Sequence, residues 1–223
     1  MWDAQLHYPA NTFPDMLTWV LKTVEYFRQR QDLQLVIRIH PAEIRGTLPS
    51  RQPLAAELEK IGEGLPKNVR VIRPEDSAST YVVMELCNCV IIYGTKTGVE
   101  LSSLGIPVIV AGEAWIRNKG ITRDASTPAE YFQLLDQLPF ADKLNPAQRT
   151  RALKYAYHFF FRRMIPLKFM EETRSWPPYR AVISGPQDLL PGRDRGLDVI
   201  CDGILEGAPF IYPEEEMETQ AKA

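Results

Sequence analysis

Residues 88–113 read NCVIIYGTKTGVELSSLGIPVIVAGE, and this stretch decides the predicted fold class. It holds two short apolar runs, residues 89–93 and 107–111, on either side of a segment with helical spacing at residues 97–104. Apolar runs without polar alternation are typical of parallel strands that are covered on both faces. A strand, a helix and a second strand in this order predict a right-handed βαβ unit.

The same alternation continues on both sides of this unit. Further strands are predicted at residues 1–6, 33–39 and 69–72, and helices at residues 13–31, 52–61, 79–86, 128–138, 146–165 and 197–205. Strands that alternate with helices predict an α/β fold with a Rossmann-like, doubly wound parallel sheet. Asn11 or Thr12 is expected to cap the first helix, and Ser126 or Thr127 the helix at residues 128–138.

The predicted organisation is a single domain of this kind, with additions at its C-terminal end. Residues 1–166 are assigned to the Rossmann-like domain, and residues 167–212 to an irregular and helical extension packed on it, because this part contains several proline and glycine turns. Residues 213–223 form an acidic tail that we expect to be disordered.

Composition and charge argue against several classes of function. The chain of 223 residues is 45% hydrophobic and 24% charged, and its formal net charge of −2 argues against a nucleic-acid partner. Its apolar stretches fall short of the ~18 residues of a membrane span, and its start lacks the features of a signal peptide. Cys87, Cys89 and Cys201 are expected to be buried, reduced thiols. We therefore expect a cytoplasmic protein, with a peripheral position at the inner face of the membrane left open.

Polar and small residues follow three of the predicted strands. Ligands of open α/β sheets bind beyond the carboxyl ends of the strands, so residues delivered to this edge are candidates for a binding site. The residues are His40, Pro41 and Glu43 after the strand at 33–39, the loop GTKTGVE at 94–100 after the strand at 89–93, and Gly112 and Trp115 after the strand at 107–111.

The loop that begins at Gly94 has a composition suited to phosphate. Gly94 and Gly98 allow sharp turns and a close approach of the backbone to a ligand. Thr95 and Thr97 offer hydroxyls and helix caps, and Lys96 adds a positive charge. The structural alternative is a tight strand-to-helix turn with a capping threonine.

Each of the other candidates has a functional and a structural interpretation. His40 can donate to a phosphate or be satisfied by the backbone at a strand end. Arg38 can bind a phosphate bidentately or form a structural ion pair. Glu43 is a pocket carboxylate or a cap of the next segment, and Glu100 binds a ribose or lies on the helix surface. Trp115 closes over a base or sugar or packs in a crossover loop. We expect no metal, since no His, Asp or Glu cluster has metal-ligand spacing.

These segments, in this order, resemble the capsule polysaccharide biosynthesis family. The resemblance covers residues 33–138 and rests on LVIRIHPAE from Leu35, NVRVI from Asn68, NCVIIYGTKTGVE from Asn88, LGIPVIVAG from Leu104 and GIT from Gly120. It implies a GT-B type glycosyltransferase, whose C-terminal Rossmann-like half holds a nucleotide sugar.

By this resemblance, His40 is the catalytic residue and faces the donor phosphate, while Glu100 meets the ribose. The donor is CMP-, UDP- or GDP-linked, and no cofactor is implied. Together, the strand-end positions and this resemblance predict the donor-binding residues Arg38, Pro41, Glu43, Gly94, Thr95, Lys96, Thr97, Gly98, Glu100, Gly112 and Trp115.

The predicted function is transfer of a glycosyl group to a polysaccharide or glycolipid acceptor of capsule or surface polysaccharide biosynthesis. GT-B enzymes have two Rossmann-like domains, and this chain begins near the first strand of the C-terminal one. We therefore expect activity to need an N-terminal acceptor half, which a separate polypeptide can supply. Two alternatives stay open: a non-catalytic nucleotide-binding or scaffold module of a capsule assembly complex, and a sugar-nucleotide epimerase-like protein.

Overall fold

The computed structural model describes residues 11–45, 50–62, 64–174 and 177–213. The chain divides into two compact units, Met1–Leu153 and Lys154–Ala223. The strand predicted at residues 1–6 lies outside the described residues, as does the predicted acidic tail from residue 214 onward.

The first unit is a mixed α/β structure with two small parallel sheets. Its strands are β1 (Leu35–Arg38), β2 (Val69–Ile72), β3 (Val90–Ile92), β4 (Val108–Val110) and β5 (Arg123–Asp124). β1 pairs with β2, and the second sheet has the order β3-β4-β5. The predicted α/β class is therefore confirmed. β2 has the predicted bounds, whereas β1, β3 and β4 are shorter than predicted at both ends.

A single sheet is not seen among the described strands. They pair as two sheets of two and three strands, and none of them joins β1 to β3. β5, which the sequence prediction missed, has only two residues, and a strand this short carries no apolar run that could reveal it. The doubly wound arrangement therefore stays a prediction.

The helices of the first unit agree with the predicted ones in place but are mostly shorter. They are α1 (Met16–Gln29), α2 (Ala42–Arg45), α3 (Leu54–Glu59), α4 (Thr80–Glu85), α5 (Thr97–Ser103), α6 (Pro128–Asp136) and α7 (Pro146–Tyr157), which extends into the second unit. No helix was predicted at α2, which directly follows Pro41. A proline also suits the start of a helix, where its missing N–H costs no hydrogen bond.

One predicted helix cap is confirmed and another is wrong. The Thr127 side chain accepts the amide of Glu130 at the start of α6, as predicted. At α1 the cap is Asp15, whose carboxylate accepts the amide of Thr18 at 2.6 Å. Thr12 does not cap this helix, because its hydroxyl donates to the carbonyl of Ala125 at 2.5 Å.

A buried aromatic network connects α1 and α6 with the end of β3. The Tyr131 hydroxyl accepts the indole N–H of Trp19 at 3.0 Å and lies 2.8 Å from the Thr23 hydroxyl. Its ring packs edge-on against Phe13, at 5.2 Å between centroids. The Trp19 ring lies 5.4 Å from that of Tyr93, the residue after β3. Burial raises the pKa of Tyr131, so this phenol stays protonated at neutral pH.

Among its described residues, the second unit contains an antiparallel hairpin, a π-helix that continues α7, a 3-10 helix (Pro186–Leu189) and a C-terminal α-helix. β6 (Met170–Glu172) pairs with β7 (Tyr179–Ala181), and α8 (Arg195–Glu206) ends at Gly207 in the left-handed conformation. The helix predicted through residue 165 changes after α7 to a π-helix, His158–Arg162. Among the described residues, no helix is both long and apolar enough to cross a membrane.

The three cysteines differ in their surroundings. Cys87 and Cys89 are half-buried, and burial raises the pKa of the Cys89 thiol to about 12, so it stays protonated. Cys201 is exposed, so the prediction that all three are buried is wrong. It lies two residues after the buried Val199 on α8, and residues two apart face opposite sides of a helix.

We predict that Tyr131→Phe lowers the free energy of unfolding by about 1–3 kcal/mol, because it leaves the indole N–H of the partly buried Trp19 without its acceptor. Urea unfolding followed by circular dichroism measures this change. Tyr179→Phe is the control, since this tyrosine is 51% exposed and its loss should change stability by less than about 0.5 kcal/mol. Equal stability of the Tyr131 variant and the native protein would contradict the role given to this hydroxyl.

Candidate functional site

His40 lies beyond the carboxyl end of β1 and is exposed. Its Nδ1 atom accepts the backbone amide of Ala42 at 3.0 Å. An accepting Nδ1 carries no proton, so the neutral imidazole carries its proton on Nε2. The ring is thus held in the tautomer that can donate from Nε2 to a phosphate oxygen. Pro41 lies in the half-buried turn between His40 and α2.

Arg38 binds neighbouring parts of the fold. Its Nε atom donates to the Thr80 hydroxyl at 3.2 Å, and its Nη1 atom donates to the carbonyls of Ile39 and Arg73. The guanidinium therefore joins the ends of β1 and β2 to the start of α4. This is a structural role, although the partners are hydroxyl and carbonyl groups and not the predicted carboxylate.

Glu43 is buried, and its Oε1 atom accepts the amide of Leu54, the first residue of α3, at 2.7 Å. This contact satisfies one of the amides that the first turn of a helix leaves without a partner. Pro53, which precedes the helix, has no side chain that can do so. Of the two interpretations of Glu43, the structure shows the cap of the next segment.

The hydroxyls of Thr95 and Thr97 lie together at the start of α5. Their Oγ1 atoms are 3.1 Å apart, and Thr95 Oγ1 also accepts the Thr97 amide at 3.3 Å. Lys96 between them is exposed, and Gly94 before them is half-buried. This loop presents two hydroxyls and an ammonium group at the carboxyl end of β3.

Glu100, one turn into α5, accepts a hydrogen bond from Tyr81 of α4. The phenol donates to its Oε2 atom at 2.9 Å. This hydrogen bond, together with the negative charge of Glu100, raises the pKa of the Tyr81 phenol above its ordinary value of 10.0. The sequence analysis missed Tyr81, because the apolar pattern of residues 79–86 is typical of a helix that buries such a ring. α4 has no buried residue, and this ring is 53% exposed.

α4 joins the predicted site residues of β1 and α5. Arg38 donates to Thr80, and the next residue, Tyr81, donates to Glu100. The end of β1 and the first turn of α5 therefore both contact the start of the same helix. This arrangement brings residues that are about 60 positions apart in the sequence to a common neighbourhood.

Gly98 and Gly112 are required by packing within the protein. A Cβ atom on Gly98 would lie 2.6 Å from Cδ1 of Ile92 and 3.3 Å from Cγ2 of Ile116. A Cβ atom on Gly112 would lie 2.5 Å from the carbonyl oxygen of Tyr93. The close approach that we predicted between Gly98 and a ligand is thus an approach to β3 and to the loop after β4.

The loop after β4 is held by Arg117, and its Trp115 side chain is 48% exposed. Arg117 is buried, and its guanidinium donates to the carbonyls of Gly112 and Ala125 and to the Ser126 hydroxyl, at 2.7–3.2 Å. This arginine therefore fixes that loop from inside. The predicted lid role of the half-exposed Trp115 stays a prediction.

Two further observations concern metal binding and a surface depression. Within the part of the chain that the structure describes, no group of three or more His, Cys, Asp or Glu side chains is placed to hold a metal ion. An open depression lies on the hairpin of the second unit and contains none of the predicted site residues. It is lined by Glu172, Thr173, Pro177, Tyr179 and Arg180.

No protein-family model, no curated protein and no solved structure matches this chain. Its function is therefore inferred from the geometry of the residues of this chain.

We predict that Gly112→Ala lowers the free energy of unfolding by about 1–3 kcal/mol, because the added methyl group meets a backbone carbonyl that cannot rotate away. Gly62→Ala is the matched control, since a Cβ atom there has no neighbour within 4 Å and the glycine has no positive φ. Urea unfolding of both variants tests this. Equal stability of the two would show that the contact with Tyr93 relaxes without cost.

We also predict that the Tyr81 phenol ionises above pH 10 in the folded protein. Its folded pKa is raised, so the stability that the Tyr81–Glu100 contact contributes is present below pH 10 and is lost as the pH rises through the folded pKa. The ultraviolet absorbance difference between the native protein and Tyr81→Phe, with folding monitored by circular dichroism, gives this titration. Glu100→Gln should move the midpoint down toward 10. A native midpoint at or below 10 would refute the contact.

Proposed function

We propose that the first unit binds a nucleotide sugar at the carboxyl ends of β1 and β3 and belongs to a glycosyltransferase of capsule or surface polysaccharide biosynthesis. The observation that carries this proposal is the junction at α4, where Arg38 contacts Thr80 and Glu100 contacts Tyr81. It places the segment that carries His40 and the segment that carries the Thr95–Thr97 hydroxyls around one helix start. The resemblance to the capsule polysaccharide biosynthesis family is part of this proposal.

The proposed fold is a Rossmann-like, doubly wound sheet of the GT-B C-terminal type. A sheet of this kind has the strand order 3-2-1-4-5-6. The parallel pair β1–β2 fits positions 2 and 3, and the parallel order β3-β4-β5 fits positions 4, 5 and 6. One position remains between β1 and β3, and none of the described residues fills it. The strand predicted at residues 1–6 lies outside the described residues.

In the proposed reaction, residues of this chain stabilise charge on the leaving phosphate and position the donor. Transfer breaks the bond between the anomeric carbon and a donor phosphate oxygen, and the acceptor hydroxyl oxygen forms the new bond and gives up its proton. The leaving phosphate gains negative charge, which a donor at Nε2 of His40 and the Lys96 ammonium can stabilise. Glu100 can exchange its bond from Tyr81 for bonds from the ribose hydroxyls.

The remaining parts of the proposal concern partners and location. The acceptor is a polysaccharide or glycolipid, and the base that takes its proton is assigned to an N-terminal acceptor half, which a separate polypeptide can supply. The donor is CMP-, UDP- or GDP-linked, and the site is cytoplasmic.

A non-catalytic nucleotide-binding module is the second candidate. It is favoured by the structural roles of Arg38, Glu43, Gly98 and Gly112, which satisfy and pack parts of the protein itself. His40 is the one residue of this chain that was predicted to be catalytic. Both candidate functions predict nucleotide binding, but only the glycosyltransferase predicts turnover of a nucleotide sugar.

We predict that CMP, UDP or GDP, or a sugar conjugate of one of them, raises the melting temperature of the purified chain selectively. A ligand that binds only the folded state stabilises it by RT ln(1 + [L]/Kd), or about 2.7 kcal/mol at a hundredfold excess over Kd. A thermal-shift screen of the nucleotides and conjugates at millimolar concentration measures this. No shift with any of them, in a chain that unfolds cooperatively, would reject the proposal.

Substitutions of His40 give the sharpest test of its role. The amide oxygen of Asn can replace Nδ1 as acceptor of the Ala42 amide but leaves nothing at Nε2, whereas the Gln amide nitrogen reaches the position of Nε2. We expect His40→Asn to abolish the nucleotide shift and His40→Gln to keep most of it. His158→Ala, at the other described histidine, should keep the full shift. Release of the nucleotide with a candidate acceptor half added then separates transfer from binding alone.

A further inference from the structure

The π-helix His158–Arg162 places aromatic side chains on two sides of one helical segment in the second unit. On one side Phe159 is buried, and its ring lies 6.1 Å from that of Tyr155 in a stacked arrangement. On the other side the rings of Tyr157 and Phe161 lie 5.6 Å apart, and they are 40% and 52% exposed. The segment therefore buries one aromatic pair and presents the other to solvent.

The exposed pair is extended by Met164, which is 47% exposed. We call Tyr157, Phe161 and Met164 the aromatic face. The π-turn, closed by the bond from the Arg163 amide to the His158 carbonyl at 3.0 Å, adds one residue to the turn and so sets which rings face outward. Large apolar side chains grouped on a protein surface mark an interaction site more often than isolated ones do.

The sequence segment that carries the aromatic face has charges of a single sign. Residues 143–170 contain seven basic and no acidic side chains, while the other 195 residues contain 19 basic and 28 acidic side chains. Within the second unit this stretch exposes Lys154, Arg163 and Lys168. Arg162 of the same stretch is half-buried, with its Nε atom 3.5 Å from the carbonyl oxygen of Tyr212. The positive charge is thus concentrated in one segment of an otherwise acidic chain.

A second exposed apolar group of this unit has the opposite charge around it. Ile204 and Leu205 of α8 are 70% and 80% exposed, and their neighbours Asp202 and Glu206 are exposed acidic residues. An anionic surface would repel this part of α8. The aromatic face, in contrast, combines exposed aromatic rings with basic residues close to it in the sequence.

We propose that the aromatic face docks on an anionic lipid bilayer. Tyr157, Phe161 and Met164 enter the boundary between head groups and acyl chains, where aromatic rings with a polar tip are favoured. Lys154, Arg163 and Lys168 attract the anionic head groups. This attraction acts over a Debye length of about 10 Å at 0.1 M salt, so it does not require each cation to touch a lipid. The docking does not depend on the proposed nucleotide site.

The test is co-sedimentation of the full chain, without nucleotide, with vesicles of phosphatidylcholine alone or with a quarter of phosphatidylglycerol. We expect binding to the anionic vesicles at 0.1 M salt, and weaker binding at 0.5 M salt and to neutral vesicles. Phe161→Ser should reduce the partition coefficient about tenfold, as expected for an aromatic side chain that leaves an apolar environment. Lys154→Gln combined with Lys168→Gln should reduce it about 25-fold, at roughly fivefold for each cation.

Matched variants elsewhere in the second unit control for general effects of charge and aromatic content. Tyr179→Ser removes an exposed ring from the hairpin, and Arg193→Gln removes an exposed cation before α8. Both should bind anionic vesicles as the native chain does. The proposal is overturned by equal binding to neutral and anionic vesicles, by unchanged binding of Phe161→Ser, or by self-association through this face without vesicle binding. The nucleotide shift, measured separately, distinguishes a failure here from a failure of the proposed site.

Discussion

The hydroxyl group of Tyr131 is the contact on which the rest of the first unit depends. Its ring is fully buried, and the phenol oxygen has partners on α1 in Trp19 and Thr23. Trp19 in turn packs on Tyr93, the residue after β3, and the carbonyl oxygen of Tyr93 lies 2.5 Å from the position that a Cβ atom of Gly112 would take. A continuous series of contacts therefore runs from α6 through α1 to the ends of β3 and β4. The positions of the strand ends, where a ligand would bind, follow from the packing of this aromatic network.

Several side chains at the strand ends form hydrogen bonds with backbone groups of the protein itself. Arg38 and Arg117 donate to backbone carbonyls, and Glu43 accepts a helix amide. The shortness of the strands explains why these side chains bond to backbone groups. β1 has four residues and β3 and β4 have three each, so long connections must satisfy their backbone groups with side chains. The exposed residues of this edge, such as His40 and Lys96, are those on which a binding function can rest.

The sequence predicted those parts of the structure that a local pattern determines. The apolar run at Val69–Ile72 and the cap at Thr127 could be identified because burial on both faces and capping each leave a local signature. Contacts between distant segments left no such signature. Glu43 reaches Leu54 across eleven positions, and Tyr81 reaches Glu100 across nineteen. Amphipathic spacing likewise shows that a helix has an apolar face but not whether that face is covered, and α4 has no buried residue.

The two proposals concern different units and different forces, and they have a joint consequence because one chain carries both. If the aromatic face holds the second unit on a bilayer, then the first unit is confined to a thin layer of solvent beside the lipid. Confinement raises the effective concentration of any acceptor anchored in that bilayer without a new contact between protein and acceptor. A glycolipid acceptor would benefit from this effect, whereas a soluble polysaccharide would not. Of the two acceptor classes that the sequence left open, docking at a membrane therefore favours the glycolipid.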